Sequence, residues 1–275
     1  MLTVTKDFVK KLYSKRPDWS HKGDFGRLLI IGGSSLYSGS PILAALAAYR
    51  SGVDWVMIAA PKDVAHQIRS YSPDLMSYPL DGEFVSIKNI KTLLELEENY
   101  DAVLIGGGMG RVKEVKKTII EFLKNTSLPC VIDADAIHAV AEEKKVIRSN
   151  FVLTPHSYEF YVLTGEKISD RAEQVTRYAQ ELGATILLKG HIDYISDGKQ
   201  AAINKTGNPS MTKAGTGDSL AGICGALLAR KIAPFDAACA AAYINGAAGD
   251  LANTKLGVSL LATDVIEEIH NVLKF

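Results

Sequence analysis

The chain has 275 residues, with 31 Lys+Arg against 31 Asp+Glu and a formal net charge of +0. Hydrophobic residues make up 47% and charged residues 23%, ordinary globular usage that fits one large α/β domain over residues 1–275. The neutral balance offers no basic field to nucleic acid, and the longest apolar stretches, such as Leu28 to Ile31 and Ile42 to Ala48, fall well short of the roughly 20 residues of a membrane span. Neither a nucleic-acid nor a membrane partner is expected.

From the N-terminus, MLTVTKDFVKKLYSKRPDW is amphipathic and lysine-rich and lacks the apolar core of a secretion signal, which predicts a cytoplasmic protein. Short β-branched runs follow at Arg27 to Ile31, Val53 to Ala59, Ala102 to Ile105, Cys130 to Ile132, Phe151 to Leu153 and Thr185 to Lys189. Between them, Pro41 to Arg50, Ile87 to Glu97, Val112 to Lys124 and Arg171 to Leu182 have helical periodicity, with Gly183 placed to stop the last. This alternation predicts repeated βα units around a mostly parallel sheet with helices on both faces. Asp193 to Ile203 alternates and turns at Asp197-Gly198 like a hairpin. Three helical stretches close the chain: Asp218 to Ala229, Pro234 to Leu251 and Thr263 to Leu273. Within the second, the glycine- and alanine-rich segment Ala237 to Ala248 packs either inside a protomer or between protomers, which leaves a homo-oligomer open. Cys130, Cys224 and Cys239 are odd in number and lack CxxC spacing, as expected of buried structural thiols.

In parallel sheets, ligands collect beyond the carboxyl ends of the strands. Here those positions carry GGSSLYSGSP, GGGMGR, DADAIHA, TPHSYE and KGHID. Any one glycine pair serves equally as a tight βα turn, but together these loops present bare backbone to phosphate or carboxamide groups. Asp133 and Asp135 are favoured cap residues, and at least one is expected to cap the following helix. Known nucleotide motifs do not fit: there is no GxxxxGK[ST], GGGMGR does not match GxGxxG, and neither HExxH nor GxSxG occurs.

Chemistry therefore centres on Gly215-Thr216-Gly217-Asp218. The glycines permit a turn with exposed amides, and Asp218 falls at or just inside a helix N-terminus, where free N–H groups and the helix dipole favour negative charge. Asp218 is either an N-cap or a base beside an anion cradle. A cradle paired with a carboxylate suits phosphoryl transfer: amides stabilise the moving group while the carboxylate takes a proton from the attacking hydroxyl.

GTGD leading into a small-residue helix resembles the ribokinase superfamily. With HKGDFGRLLIIGGSSLYSGSPILAALAAYRSGVDWV at 21 to 56, IGGGMGR at 105 to 111, VIDADAIHAV at 131 to 140, LTPHSYEFYVLTG at 153 to 165, LLKG at 187 to 190 and KTGNPSMTKAGTGDSLAGICGALLA at 205 to 229, nearly the whole chain resembles the ADP/ATP-dependent NAD(P)H-hydrate dehydratases. The resemblance implies a ribokinase-like fold and a repair reaction in which ADP or ATP, with Mg²⁺, drives water from hydrated NADH or NADPH. A ring hydroxyl is phosphorylated, phosphate leaves and the ring double bond returns, with Asp218 as base. It implies substrate contacts at Ser40, Gly108, His156 and Asp218, and nucleotide contacts at Lys189, Gly190, His191, Ile192, Asp193 and Gly217, with Gly215 and Thr216 completing the cradle. Glu159 is expected to organise metal-bound water. Many family members carry a fused epimerase domain, for which this chain has no room. Four positions depart from the family pattern: Ser40 for alanine, Tyr158 for glycine, Asp193 for threonine and Ala214 for glycine. A ribokinase-like kinase for a vitamin alcohol (hydroxymethylpyrimidine, hydroxyethylthiazole or pyridoxal type) and a non-catalytic nucleotide sensor are the alternative readings.

Overall fold

Alternating side chains along the strands divide the core in two. The computed structural model describes all residues, Met1–Phe275. Its strands are β1 (Leu2–Thr3), β2 (Arg27–Ile31), β3 (Trp55–Pro61), β4 (Met76–Leu80), β5 (Ala102–Ile105), β6 (Cys130–Ile132), β7 (Phe151–Leu153), β8 (Thr185–Leu188), β9 (Asp193–Ser196) and β10 (Ala201–Asn204). They form one sheet in the order β1-β10-β9-β8-β7-β6-β5-β2-β3-β4. Only the β8–β9 and β9–β10 pairings are antiparallel. Leu28 and Ile30 of β2 join one buried cluster and Leu29 and Ile31 the other, so each strand feeds both faces, as continuous apolar runs in a covered parallel sheet must.

The helices are α1 (Lys6–Lys11), α2 (Gly39–Arg50), α3 (Lys62–Tyr71), α4 (Ile90–Glu97), α5 (Lys113–Asn125), α6 (Asp135–Val140), α7 (Ser157–Thr164), α8 (Arg171–Leu182), α9 (Thr216–Ala229), α10 (Pro234–Leu256) and α11 (Ala262–Val272). One face is covered by α2, α9, α10 and α11, the other by α4, α5 and α6. A Cβ added at Gly222 of α9 would collide with the Ala44 carbonyl of α2, so glycine is what lets these two helices approach closely and carry their N-termini to one place. Ala237 to Ala248 of α10 is mostly buried within the chain against α9, α11 and the sheet, which places this stretch inside the protomer. The three cysteines are buried and unpaired. No helix is long and apolar enough to cross a membrane.

Several expectations are corrected. β3 begins at Trp55 and extends to Pro61, and the helix expected over Ile87 to Glu97 divides into a 3₁₀ turn, Ile87–Asn89, followed by α4. The helix expected from Pro234 to Leu251 continues to Leu256. α3 and β4 are additions; Pro79 argues against a strand, yet β4 lies at the sheet edge, where a missing N–H costs no ladder bond. α6 and α7 are too short for periodicity to reveal.

Candidate active site

α9 begins two residues earlier than expected, so Asp218 stands in its first turn and Gly215 at its cap position. Gly215 has φ +101°, and a Cβ there would lie 2.7 Å from Leu43 Cδ1 and 2.8 Å from Ala262 Cβ; both conformation and space demand glycine. Asp218 is thus not a cap. The amides of Gly215, Gly217 and Asp218 find no backbone acceptor, leaving an anion-binding turn at the helix dipole's positive end. The turn is braced from α10: Asn245 Nδ2 donates to the Thr216 carbonyl at 3.2 Å, and Ser219 Oγ donates to Asn245 Oδ1 at 2.7 Å.

Ser40, in the first turn of α2, donates its hydroxyl proton to Asp218 Oδ1. The β5 loop closes over the pair, because a Cβ on Gly107 would strike Ser40 Oγ and one on Gly108, at φ +67°, would lie 2.7 Å from the Tyr37 carbonyl. Burial pushes Asp218 up to about 6; the Ser40 bond and Lys189 oppose the rise, while the Asp133 and Asp135 carboxylates add to it. Such a carboxylate is ionised at neutral pH yet basic enough to accept a proton.

The adjoining loops of β6, β7 and β8 hold a second charged group. Lys189 Nζ lies 3.0 Å from Asp133 Oδ1 and 3.9 Å from Glu159 Oε2, and Thr154 Oγ1 donates to Asp133 Oδ1 at 2.6 Å. These acids keep Lys189 protonated, raising its pKa against the effect of burial. Burial raises Glu159, with Lys189 opposing and Asp133 adding to the rise. His156 is the N-cap of α7: its Nδ1 accepts from the amides of Tyr158 and Glu159 at 3.1 and 3.2 Å, and Glu159 Oε2 accepts from the His156 amide at 2.9 Å. The cap expected from Asp133 or Asp135 is not formed. Ala134 occupies the cap of α6 at φ +48°, without a side-chain bond, while Asp133 turns to Lys189 and Asp135 accepts from the Gly110 amide and Arg111 Nε, each at 2.8 Å. Strain at Ala134 thus sends two neighbouring carboxylates to separate partners.

Beside the GTGD turn opens a cavity of about 630 Å³ lined by His156, Lys189, Gly190, His191, Asp193, Thr216 and Gly217, together with the loop from Thr206 to Lys213. Ile192 and Gly215 do not line it. Asp193 is buried and engaged: Oδ1 accepts from the Gly190 amide and Oδ2 from Asn204 Nδ2, both at 2.9 Å. It fixes the β8–β9 turn and presents little free charge to the cavity. On the far wall, a Cβ on Gly246 would strike Thr206 Oγ1, so glycine lets that loop settle on α10. Ser40 and Gly107 line a separate small recess with Asp133 and Asp218. Asp218 thus lines the recess, and the preceding residue, Gly217, lines the cavity. No three His, Cys, Asp or Glu side chains are grouped to hold a metal ion.

Residues 28–271 match the family model described as NAD(P)H-hydrate dehydratase. The chain belongs to that family. It is 41% identical over 276 residues to the bifunctional NAD(P)H-hydrate repair enzyme Nnr of Pyrobaculum aerophilum, covering 98% of this chain and 54% of that one. It is 38% identical over 278 residues to the ADP-dependent (S)-NAD(P)H-hydrate dehydratase of Cenarchaeum symbiosum, covering 98% and 96%. The chain thus spans about half the length of the bifunctional relatives and nearly all of the monofunctional one. Among solved structures, the ADP/ATP-dependent NAD(P)H-hydrate dehydratase of Bacillus subtilis, co-crystallized with ATP/Mg²⁺, superposes with a TM-score of 0.85 at 28% identity over 99% of this chain and 98% of that one. The ribokinase-like architecture expected from sequence is the one this NAD(P)H-hydrate dehydratase family member adopts.

Proposed function

We propose that the protein restores NADH and NADPH from their hydrated forms in a reaction driven by ADP or ATP. ADP is the nucleotide of first choice, since the relative matched over nearly its full length is named for it. The observation that carries the chemistry is Asp218, held at about 6 beside Ser40 and next to Gly217 on the wall of the nucleotide-sized cavity, with unclaimed amides beside it. The hydrated nicotinamide ring lies against Ser40, Gly108 and His156, outside the water-sized recess, with its hydroxyl directed at Asp218. The nucleotide lies in the cavity among Lys189 to Asp193, and its terminal phosphate meets the amides of Gly217 and Asp218.

Asp218 takes the hydroxyl proton as the ring oxygen attacks the terminal phosphorus, and the bond to the nucleotide's bridging oxygen breaks. The amides hold the charge of the moving phosphoryl group, and Lys189 contributes a fixed positive charge nearby. The C–O bond to phosphate then breaks as a neighbouring C–H proton passes to solvent, its bonding pair forming the ring double bond. Magnesium fits this site as a nucleotide-borne ion, because the nearby acids are already engaged with Lys189 and form no closed ligand set. Glu159 and Asp133 would hold it through water, and when bound it neutralises phosphate charge.

Product analysis separates this reading from a vitamin kinase. Incubation with hydrated NADH, nucleotide and Mg²⁺ should restore the absorbance of reduced nicotinamide; phosphorylation of a vitamin alcohol with no such recovery would refute the assignment. Asp218→Ala should abolish turnover with nucleotide affinity largely kept, whereas a nucleotide sensor would show no turnover to lose.

A further inference from the structure

The strand ends of β5, β6 and β7 are neighbours in the sheet, and outside the recess their loops build a shelf that the chemistry above does not use. Tyr158, singled out in the sequence as a bulky residue beside His156, is 60% exposed. Its ring centroid lies 6.4 Å from that of His156, with 29° between the planes, and 6.4 Å from Tyr161. His138 of α6 stands 6.3 Å away, its plane tilted by 46°; it is only 9% exposed and its Nε2 has no hydrogen-bond partner. The charge of Arg111, from the β5 loop, reaches the same imidazole and helps burial hold it below its usual range. Arg111 is anchored to Asp135 through Nε alone, so its two terminal nitrogens remain free, and its side chain is half exposed.

This combination has a chemical meaning. A partly exposed aromatic cluster, beside a guanidinium fork held by one nitrogen, suits a nucleobase and its adjoining phosphates. The 630 Å³ cavity accounts for one adenine nucleotide, yet a hydrated dinucleotide brings a second adenine. Gly108 and His156, placed above against the nicotinamide end, lie three residues before Arg111 and two before Tyr158. A substrate held against these two residues meets the shelf next along both loops.

We infer that Tyr158, backed by His156 and His138, is the stacking surface for the adenine end of the dinucleotide substrate, with Arg111 gripping its pyrophosphate. This rests on hydrated NAD(P)H being the substrate. Tyr158→Ala should raise KM for hydrated NADH about tenfold with kcat nearly unchanged and KM for ADP unmoved, and Tyr158→Phe should restore the wild-type KM. Hydrated reduced nicotinamide mononucleotide, which lacks the adenine, should give the same KM with wild type and Tyr158→Ala. Equal KM values for hydrated NADH in wild type and Tyr158→Ala, an equal loss on the mononucleotide, or a shift confined to ADP would each overturn the shelf. Calorimetric titration of ADP-ribose, which needs no turnover, supplies the second readout. About tenfold weaker binding to Tyr158→Ala supports the shelf even if the wild type fails to dehydrate hydrated NADH, in which case the substrate reading falls alone. Equal ADP-ribose binding by both proteins, in an enzyme that does dehydrate hydrated NADH, removes the shelf and leaves the activity standing.

Discussion

Replacing Asp218 by Asn should make the protein inactive and more stable. Burial lifts this carboxyl from 3.8 in the unfolded chain to about 6 in the fold. An acid raised in this way destabilises the fold when ionised: the penalty is absent below the unfolded value, grows between 3.8 and about 6, and is constant above. Taken in full, that gap corresponds to about 3 kcal/mol at neutral pH. Because the side chain is only partly buried, solvent screening reduces the expected gain to about 1–2 kcal/mol. Asn keeps an oxygen to accept from Ser40, so the swap removes charge without orphaning the hydroxyl. For 275 residues the gain amounts to a rise in Tm of about 2–3 °C. Thermal unfolding followed by circular dichroism near pH 8 should show that rise, and near pH 4.5 it should shrink to about a third. A variant no more stable than wild type near pH 8, or a gain equal at both pH values, would refute the reasoning.

Four further outcomes follow from the same geometry. The pH profile of kcat/KM should fall away as pH drops through about 6, since the base must be ionised; a rate flat to about pH 5 would exclude Asp218 as that base. Ser40→Ala removes the bond that opposes burial, so the acid limb of that profile should move upward, and a downward move would contradict the assignment. Lys189→Met strands Asp133 and Glu159 without their shared cation, with a loss of about 2–4 kcal/mol in urea unfolding at pH 7 that should diminish on acidification, as the raised Glu159 takes up a proton. Gly222→Ala forces a methyl into the Ala44 carbonyl of α2 and should cost about 1–3 kcal/mol, read as a lower denaturation midpoint.

What could be read from sequence follows physical range. β-Branched runs, whose meaning is local, mark strands β2, β5, β6, β7 and β8, and glycines whose geometry is local too mark GTGD. Sequence offers Asp133 and Asp135 equally as caps because the partners of Asp133 are distant: Thr154 lies on the next strand's loop, and Lys189 is 56 positions away. The short strand β1 pairs only with β10 and leaves no periodic trace. Only the resemblance places Ser40 near the substrate; its bond to Asp218 spans 178 positions, and no spacing rule reaches so far. The signal that could have exposed Asp133 is the pair of acids flanking one alanine, a pattern in which a single strained residue sends two carboxylates to different partners. For Asp193 the turn-forming sequence after β8 held the clue, since an aspartate three residues after Gly190 closes that turn onto its amide.

The central claim is that the GTGD aspartate couples nucleotide cleavage to dehydration, and the most direct test follows both products in one reaction. Hydrated NADH with Mg²⁺ and either ADP or ATP should yield reduced nicotinamide and orthophosphate in equal amounts, with neither formed by Asp218→Asn under the same conditions. Recovery of NADH without phosphate release, or undiminished recovery by Asp218→Asn, would contradict it.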